Sequence, residues 1–259
     1  MLLLLPPSEG KTAPRRGAAV DLDGLSSPGL TPLRRKVLDA LAEVSARSDA
    51  ATVLGVGASL EAEVARNVQL STAPTAPAAR VYTGVLYAAA GLDRLTAAQR
   101  RRAHESVRVV SGLWGVVAPG DAIPAYRLSM GTDLPGVGPL AAAWRDALAA
   151  ELDPRAQGDL VVDARSAAYL AAWHPPRGTA WVTVRVERDT DGVRQVVSHH
   201  AKHTRGVLTR HLLTRRARLP RTADELARAA RELVGPELVD VELGPAVSRG
   251  ARTLTLVVA

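Results

Sequence analysis

The order of apolar and polar positions along the chain predicts a mixture of strands and helices. Short apolar runs bounded by turn-forming residues are typical of buried strands, whereas apolar residues that recur every three or four positions are typical of amphipathic helices. The runs that predict strands are Leu2–Leu5, Val107–Ser111, Leu160–Asp163 and residues 253–258. Because the first of these runs contains only leucine, we expect it to be buried.

Helical spacing and helix-start residues define the predicted helices. The clearest helix covers residues 31–48, where Val37, Leu41 and Val44 keep helical spacing and Pro32 suits the first turn. The other predicted helices lie after Gly57 and at residues 96–105, 139–152, 166–173, 201–216 and 222–234. Since strands and helices are interspersed without an internal repeat or a clear linker, we predict the α+β class and a single compact mixed-sheet domain over residues 1–259.

A β-hairpin is predicted in the second half of the chain. Residues 181–187 and 193–199 alternate between apolar and polar side chains. The sequence Asp189-Thr190-Asp191-Gly192 between them combines a strong turn dipeptide with flanking strand patterns. We therefore expect two antiparallel strands joined at this point.

Composition excludes several classes of protein. The chain has no cysteine, which removes disulfide scaffolds, thiolate metal sites and cysteine nucleophiles. No apolar run approaches the ~20 residues that span a bilayer, and the apolar start ends at Pro6-Pro7, too early for a signal-peptide core. We therefore expect a cytoplasmic protein that makes no use of a membrane, and no cofactor.

The positive charge of the chain is concentrated in one segment. The formal net charge is +7, from 33 basic and 26 acidic residues. Residues 198–221 contain no carboxylate, and their cations equal the whole excess, so the segment predicts a site for a polyanion. A solvated basic helix without a partner is the alternative. These cations are Lys202, Arg205, Arg210, Arg215, Arg216, Arg218 and Arg221.

On a helix over residues 201–216, one stripe is expected to face phosphates. Lys202, Arg205, Thr209 and Arg216 fall on that stripe at helical spacing. His199, His200 and His203 have the helical spacing of metal ligands. No nearby carboxylate completes a set of metal ligands with them. Because so many cations surround them, we expect no metal there.

The lysines are rare, and two of them lie in motif-like contexts. Only Lys11, Lys36 and Lys202 occur among the 33 basic residues. A lysine that is kept in an arginine-rich chain has a compact ammonium whose pKa can be adjusted, which arginine lacks. Ser8-Glu9-Gly10-Lys11-Thr12 follows a strand, but it lacks the first glycine of a phosphate-binding P-loop and the helix that must follow. The alternative to a site here is an ordinary surface loop.

Further polar residues that follow predicted strands complete a candidate enzyme site. Ser111 ends a strand, and Tyr126 and Arg127 form a donor pair that suits a base, a phosphate or a carboxylate. If Lys11 and Lys202 join them in one cleft, the five residues are candidates for catalysis on a small anionic or nucleotide-like substrate. The sequence alone does not bring them together.

A glycine-rich turn resembles the hairpin of a helix-hairpin-helix DNA-binding motif. In Leu134-Pro135-Gly136-Val137-Gly138-Pro139, Gly136 and Gly138 would let the backbone approach a phosphate, and the next helix would present its N-terminal amides. A glycine turn before an ordinary helix is the alternative.

Taken in order, several segments resemble the YaaA family of peroxide stress resistance proteins. They span residues 1–216, and their order and spacing make the resemblance specific. The segments are Pro7-Ser8-Glu9-Gly10-Lys11-Thr12 after the first strand, Val81-Tyr82-Thr83-Gly84, Ser111-Gly112-Leu113-Trp114-Gly115 with Pro119 and Asp121, Tyr126-Arg127-Leu128-Ser129-Met130-Gly131, Trp144, residues 163–169, and Ala201-Lys202-His203-Thr204-Arg205-Gly206.

The resemblance implies one α+β domain of the architecture described as cantaloupe-like. It also implies binding of double-stranded or structured DNA through a positive cleft and a helix-hairpin-helix element, in protection against peroxide damage. The first hypothesis is therefore non-specific DNA binding, with Lys202, Arg205, Arg210, Arg215 and Arg216 on the phosphates. The second is an enzyme that acts on a small anion in the same cleft.

Overall fold

A central sheet of mainly parallel strands organises the fold. The structure, a computed structural model, describes residues 1–190, 193–196, 198–246 and 250–259. Its strands are β1 Leu2–Leu5, β2 Ala76–Pro77, β3 Val107–Ser111, β4 Gly115–Val117, β5 Ala122–Ile123, β6 Asp133–Leu134, β7 Gly138–Pro139, β8 Leu160–Asp163, β9 Ala180–Thr190, β10 Val193–Val196, β11 Asp240–Leu243 and β12 Arg252–Val258. Its α-helices are α1 Thr31–Ser45, α2 Ala50–Val53, α3 Glu61–Arg66, α4 Ala78–Val81, α5 Val85–Ala90, α6 Ala97–Ser106, α7 Leu140–Ala143, α8 Arg145–Ala156, α9 Ala167–Leu170, α10 Ser198–Thr214 and α11 Ala223–Arg231.

The main sheet has the strand order β11-β12-β9-β8-β1-β3-β4, and β10 pairs with the end of β9. The strands from β12 to β3 run parallel to one another, whereas β11, β4 and β10 are antiparallel to their neighbours. This arrangement confirms the predicted single domain with a mixed sheet.

Strand β1 lies in the middle of the sheet because leucine side chains fill both of its faces. All of Leu2–Leu5 are buried, as expected for a strand that is covered on both sides. Leu3 is in register with Val107 of β3 and with Val162 of β8. The carboxyl ends of these three parallel strands therefore meet at one edge of the sheet, which is where open α/β sheets bind ligands.

Helix α10 packs closely on α5, because a glycine lies at the contact. A Cβ added to Gly206 would overlap the Leu86 carbonyl oxygen and would lie 2.7 Å from the Ala89 Cβ. Because no larger residue fits without separating the helices, Gly206 lets the middle of α10 pack directly against α5. The side chain of Lys202, one turn earlier, thereby reaches the carboxyl edge of the sheet.

Most of the predicted elements are present in the structure. The predicted strands at Leu2–Leu5, Val107–Ser111 and Leu160–Asp163 are found with those bounds. The helix predicted from residue 96 is α6, where Thr96 and Gln99 form a reciprocal capping box. The predicted hairpin corresponds to β9 and β10, and its turn residues Asp191 and Gly192 lie outside the described residues.

The helix-hairpin-helix prediction is not confirmed. Gly136 and Gly138 have φ values of +83° and +95°, and they turn the chain between β6 and β7, which pair with each other. α7 follows this turn, but residues 124–132 before it form no helix. The glycine turn before an ordinary helix, the alternative considered from the sequence, describes this segment.

Among the described residues, no helix is both long enough and apolar enough to cross a membrane.

Candidate functional site

A cleft of about 450 Å³ opens at the carboxyl edge of β1 and β8. It brings together Lys11, Arg127 and Lys202, three of the five residues that the sequence proposed for catalysis, and adds Arg205 from the proposed DNA contacts. Four basic side chains thus line the cleft, whereas Glu9 is the one carboxylate among the described residues that line it. The cleft wall comes from residues 6–11, 84–87 and 127–129, from Ser166, Ala168 and Tyr169, and from Lys202 and Arg205.

The loop after β1 is fixed to the segment before α5, and this fixes Lys11. Lys11 forms a backbone bridge with Tyr82, and the Thr83 N–H donates to the Gly10 carbonyl at 3.2 Å. The Ser8 hydroxyl donates to the Thr83 carbonyl. Gly84 is required beside it, because a Cβ there would lie 2.7 Å from the Ser8 Oγ and its φ is +131°.

The amine of Lys11 lies on an aromatic surface at the bottom of this loop. Its Nζ is 4.4 Å from the centroid of the Tyr126 ring and 5.9 Å from that of Tyr82, and it donates to the Glu9 carbonyl at 3.4 Å. The pKa of Lys11 is lowered from 10.5 to about 7, mainly by burial and also by the Arg127 guanidinium, against the opposing charges of Glu63 and Glu9. A large fraction of this amine is therefore uncharged near neutral pH.

Ser111 and Tyr126 lie beneath the cleft and do not line it. The Ser111 Oγ accepts the N–H groups of Leu113 at 3.2 Å and Trp114 at 3.0 Å. With both acceptor sites used, the Ser111 hydroxyl donates to the Tyr126 hydroxyl at 2.7 Å. The Tyr126 hydroxyl is also 3.0 Å from that of Tyr82. Ser111 therefore anchors the aromatic floor under Lys11.

The floor is uncharged. Burial raises the pKa of Tyr126 well above its ordinary value and also raises the pKa of Tyr82. Both phenols therefore stay protonated at physiological pH, and they support the Lys11 amine through their ring faces and not as phenolate partners.

Arg127 is positioned by an asparagine that the sequence analysis did not single out. The Asn67 side chain accepts from the Arg127 N–H and donates to the Arg127 carbonyl, both at 2.9 Å. The Arg127 guanidinium lies 3.5 Å from the Glu63 carboxylate and 3.9 Å from that of Glu9. Asn67 is fully buried, so this double hydrogen bond fixes the backbone from which Arg127 reaches the cleft.

A buried ion pair shapes the opposite wall. Asp163 ends β8, and its carboxylate accepts from the Arg165 Nε at 2.8 Å and the Arg165 Nη2 at 2.6 Å. Arg165 also donates to the carbonyls of Tyr169 at 3.0 Å and Trp173 at 2.9 Å. Asp163 thus helps to fold the segment that places Tyr169 in the cleft.

Helix α10 contributes two cations of different kinds. Arg205 is partly buried and donates twice to the Val184 carbonyl, at 2.9 and 3.3 Å, so its guanidinium is held in place. Burial lowers the pKa of Arg205, against the opposing charge of Asp163. Lys202 is exposed and has no hydrogen bond or ion pair within the described part of the chain, so its ammonium is available to a ligand.

The rest of the basic segment does not reach the cleft. Arg210 and Arg216 are exposed, while Arg215 forms an ion pair with Glu232. Thr209 is only 1% exposed, so the prediction that it lies on a phosphate-facing stripe is wrong. Helical spacing placed it on that stripe, but the side chain is directed into the core.

The end of the segment lies at the other side of the sheet. Arg218 and Arg221 line a second, open groove together with Met1 and Arg101. Because β1 separates Met1 from the loop that carries Lys11, this groove and the cleft are at opposite ends of β1. Lys202 and Arg205 line the cleft, whereas Arg218 and Arg221 line this groove, so the cations of the segment do not form one face. Arg218 is also 3.3 Å from Glu225, which offsets part of its charge.

The histidines for which we expected no metal, His199, His200 and His203, are only partly described by the structure. The His200 Nε2 lies 2.7 Å from the Arg188 Nη2. The side chain of His199 lies outside the described residues.

The sheet and the cleft define a mixed α/β protein whose candidate site lies at the carboxyl ends of parallel strands. The family model described as "Peroxide stress protein YaaA" matches residues 1–232. The chain is 50% identical to a UPF0246 protein of Streptomyces coelicolor over 236 residues, 90% of each chain. It is 43% identical to a UPF0246 protein of Corynebacterium efficiens over 240 residues, which covers 89% of this chain and 92% of the relative. The chain therefore belongs to the YaaA peroxide stress protein family, as its sequence segments predicted.

Proposed function

We propose that the cleft of this YaaA-family protein binds phosphate groups and that DNA is the ligand that carries them. The observation that supports the proposal is the convergence of Arg127, Lys202 and Arg205 on one cleft in which Glu9 is the opposing carboxylate. Phosphate is the anion that such a group of donors suits best, because each contact releases a counterion and the guanidinium can donate two hydrogen bonds.

The three cations differ in how much of their hydrogen bonding the protein already uses. Arg205 gives its Nε and Nη2 to the Val184 carbonyl, and Arg127 is 3.3 Å from the Glu9 carbonyl. These two contribute fixed charge and a few remaining donors. Lys202 keeps its full set of donors and makes the most adaptable contact. Of the three cations, Lys202 is therefore the one at which we expect a charge change to weaken ligand binding with the least effect on the fold.

The test is a binding titration of a fluorescein-labelled duplex, followed by anisotropy at several salt concentrations. Lys202→Glu should weaken binding by at least about tenfold, or ~1.4 kcal/mol. The matched control is Lys36→Glu at an exposed position of helix α1, which makes the same charge change away from the cleft and should leave the affinity within about twofold.

The salt dependence then counts the phosphates. Contacts from the three cleft cations alone predict a slope of log K against log salt of about −3, and participation of the exposed arginines of α10 predicts a steeper one. Equal losses in Lys202→Glu and Lys36→Glu, or an affinity that does not respond to salt, would contradict the proposal. Adenosine monophosphate and inorganic phosphate are then added as competitors of the labelled duplex. Displacement of the duplex by either indicates a nucleotide-sized site, and no displacement indicates a duplex-sized one.

A second candidate function is catalysis on a small anionic or nucleotide-like substrate, and the environment of Lys11 favours it. A depressed amine pKa beside fixed cations is typical of catalytic lysines. The test is to incubate the wild-type protein and the Lys11→Met variant with nucleotides and sugar phosphates and to compare their phosphorus NMR spectra. Spectra that stay unchanged with the wild-type protein under saturating conditions would refute it.

A further inference from the structure

We infer that Lys11 forms an imine with the aldehyde group of a phosphorylated sugar held in the cleft. The inference rests on the proposed function, because the phosphate of such a ligand is what Lys202 and Arg205 would hold. It adds a covalent step and a substrate class that phosphate binding alone does not require.

The position of the Lys11 amine suits a nucleophile better than a simple anion contact. Its Nζ lies against the Tyr126 ring face and has one protein hydrogen-bond acceptor among the described residues, the Glu9 carbonyl at 3.4 Å. Lys11 forms no ion pair within the described ranges, although Glu9 and Glu63 both lie close to its neighbour Arg127. The amine therefore lines the cleft without a carboxylate of the described residues in ion-pair contact with it.

The surrounding charges favour the uncharged amine that imine formation needs. The groups that face Lys11 are Arg127, which opposes its protonation, and Glu63 and Glu9, which favour it, and burial outweighs both. The pKa of about 7 leaves a nucleophilic lone pair available at neutral pH. Tyr82 and Tyr126, which lie nearest, stay neutral and add no charge.

The shape of the cleft indicates what the aldehyde is attached to. Lys202 and Arg205 lie on helix α10, whereas Lys11 lies on the loop after β1. A ligand that contacts all three must therefore offer an anion to Lys202 and Arg205 and a carbonyl carbon to Lys11. A sugar phosphate in its open-chain form has both groups. So does DNA at a site that has lost its base, where the sugar opens to an aldehyde between two phosphates.

The chemical step balances without a further reactant. The Nζ lone pair of Lys11 attacks the aldehyde carbon, and a C–N bond forms as the carbonyl π electrons move to oxygen. Two protons pass from nitrogen to that oxygen, the C–O bond breaks, and one water leaves. The product is a C=N bond between Lys11 and the sugar carbon, with no change of oxidation state.

Borohydride trapping tests this step. The full-length protein is incubated with ribose 5-phosphate in one arm and with an oligonucleotide containing an abasic site in the other, and sodium borohydride then reduces any imine to a stable amine. Peptide mapping by mass spectrometry distinguishes Lys11 from Lys36 and Lys202, the only other lysines of the chain. We expect the adduct on Lys11, and the arm that gives more adduct identifies the source of the aldehyde.

The variants separate chemistry from charge. Lys11→Arg keeps a cation but removes the nucleophile, so the adduct should fall to the background level of Lys36. Lys202→Ala should retain the adduct on Lys11 but at a severalfold higher half-saturating ligand concentration. Equal labelling of Lys11 and Lys36 in the wild-type protein would overturn the inference.

A binding control distinguishes this failure from failure of the proposed function. An oligonucleotide with a tetrahydrofuran analogue of the abasic site carries the phosphates but no aldehyde. If it binds and neither ribose 5-phosphate nor the abasic oligonucleotide gives an adduct on Lys11, the imine is wrong and phosphate binding remains. If neither oligonucleotide binds, the proposed function fails as well.

Discussion

Replacing Lys11 by methionine should stabilise the protein below pH 7, and the gain should disappear as the pH rises. Methionine has a similar length and adapts well to irregular apolar surroundings, so it keeps the contact with the tyrosine floor and removes the charge. The pKa of Lys11 is 10.5 in the unfolded chain and about 7 in the folded one. Between these values the unfolded chain binds a proton that the folded protein does not.

The sign and size of the effect follow from this difference. Because the unfolded state binds more protons, the free energy of unfolding of the wild-type protein rises with pH between about 7 and 10.5. Below pH 7 the wild-type protein bears the full cost of the buried charge, and above 10.5 it bears none. At ~1.4 kcal/mol for each pH unit between the two values, the cost is at most about 5 kcal/mol.

The assay is urea unfolding of both proteins at pH 6, 7, 8, 9 and 10, compared as a difference between the two free energies of unfolding. Groups that both proteins share cancel in that difference. We expect a gap of several kcal/mol at pH 6 that narrows steadily above pH 7. Two stability curves that stay parallel over this range would show that the Lys11 amine is as well solvated as in the unfolded chain, and the reasoning about its reactivity would fail with it.

Two further substitutions test the elements that build the cleft. Asp163→Asn leaves the buried guanidinium of Arg165 without a counter-charge and should lower the free energy of unfolding in urea by about 3–5 kcal/mol. The control Asp49→Asn, in an exposed ion pair, should change it by less than ~1 kcal/mol. Similar effects of the two changes would contradict the buried ion pair of Asp163 with Arg165. Gly206→Ala should lower the free energy of unfolding by at least about 1–3 kcal/mol, because it overpacks the contact with Leu86, and a neutral effect would show that α5 and α10 are not in close contact.

The sheet was predictable from the sequence because its strands are short and almost wholly apolar. Leu2–Leu5, Val107–Ser111 and Leu160–Asp163 are separate apolar runs. A strand that is buried on both faces is apolar at successive positions, so such a run predicts it directly. Helix α5 and strand β11 were not predicted. Val85–Ala90 is too short for a helical period to appear, and Asp240–Leu243 is held by its pairing with β12 and not by its own composition.

The candidate site was predictable only where a residue type was unusual in its context. Lys11 and Lys202 were identified because lysine is rare in this chain, and both line the cleft. Asn67 gave no such signal, since its role depends on a hydrogen-bonded contact with a residue sixty positions away along the chain. The pairing of Arg215 with Glu232 was equally hidden, because it needs α11 to fold back beside α10.

The choice of lysine over arginine in the cleft is itself evidence about its chemistry. Four of the 33 basic residues of the chain line the cleft, yet these four include two of its three lysines. If the cleft needed only positive charge, arginine would serve at both positions, as it does at Arg127 and Arg205, and with more hydrogen-bond donors. Arginine does not lose its proton at physiological pH, whereas a lysine buried on an aromatic surface does. The environment of Lys11 therefore selects for an amine that is neutral part of the time. The fixed charges of Arg127 and Arg205 keep the cleft positive when that proton is absent.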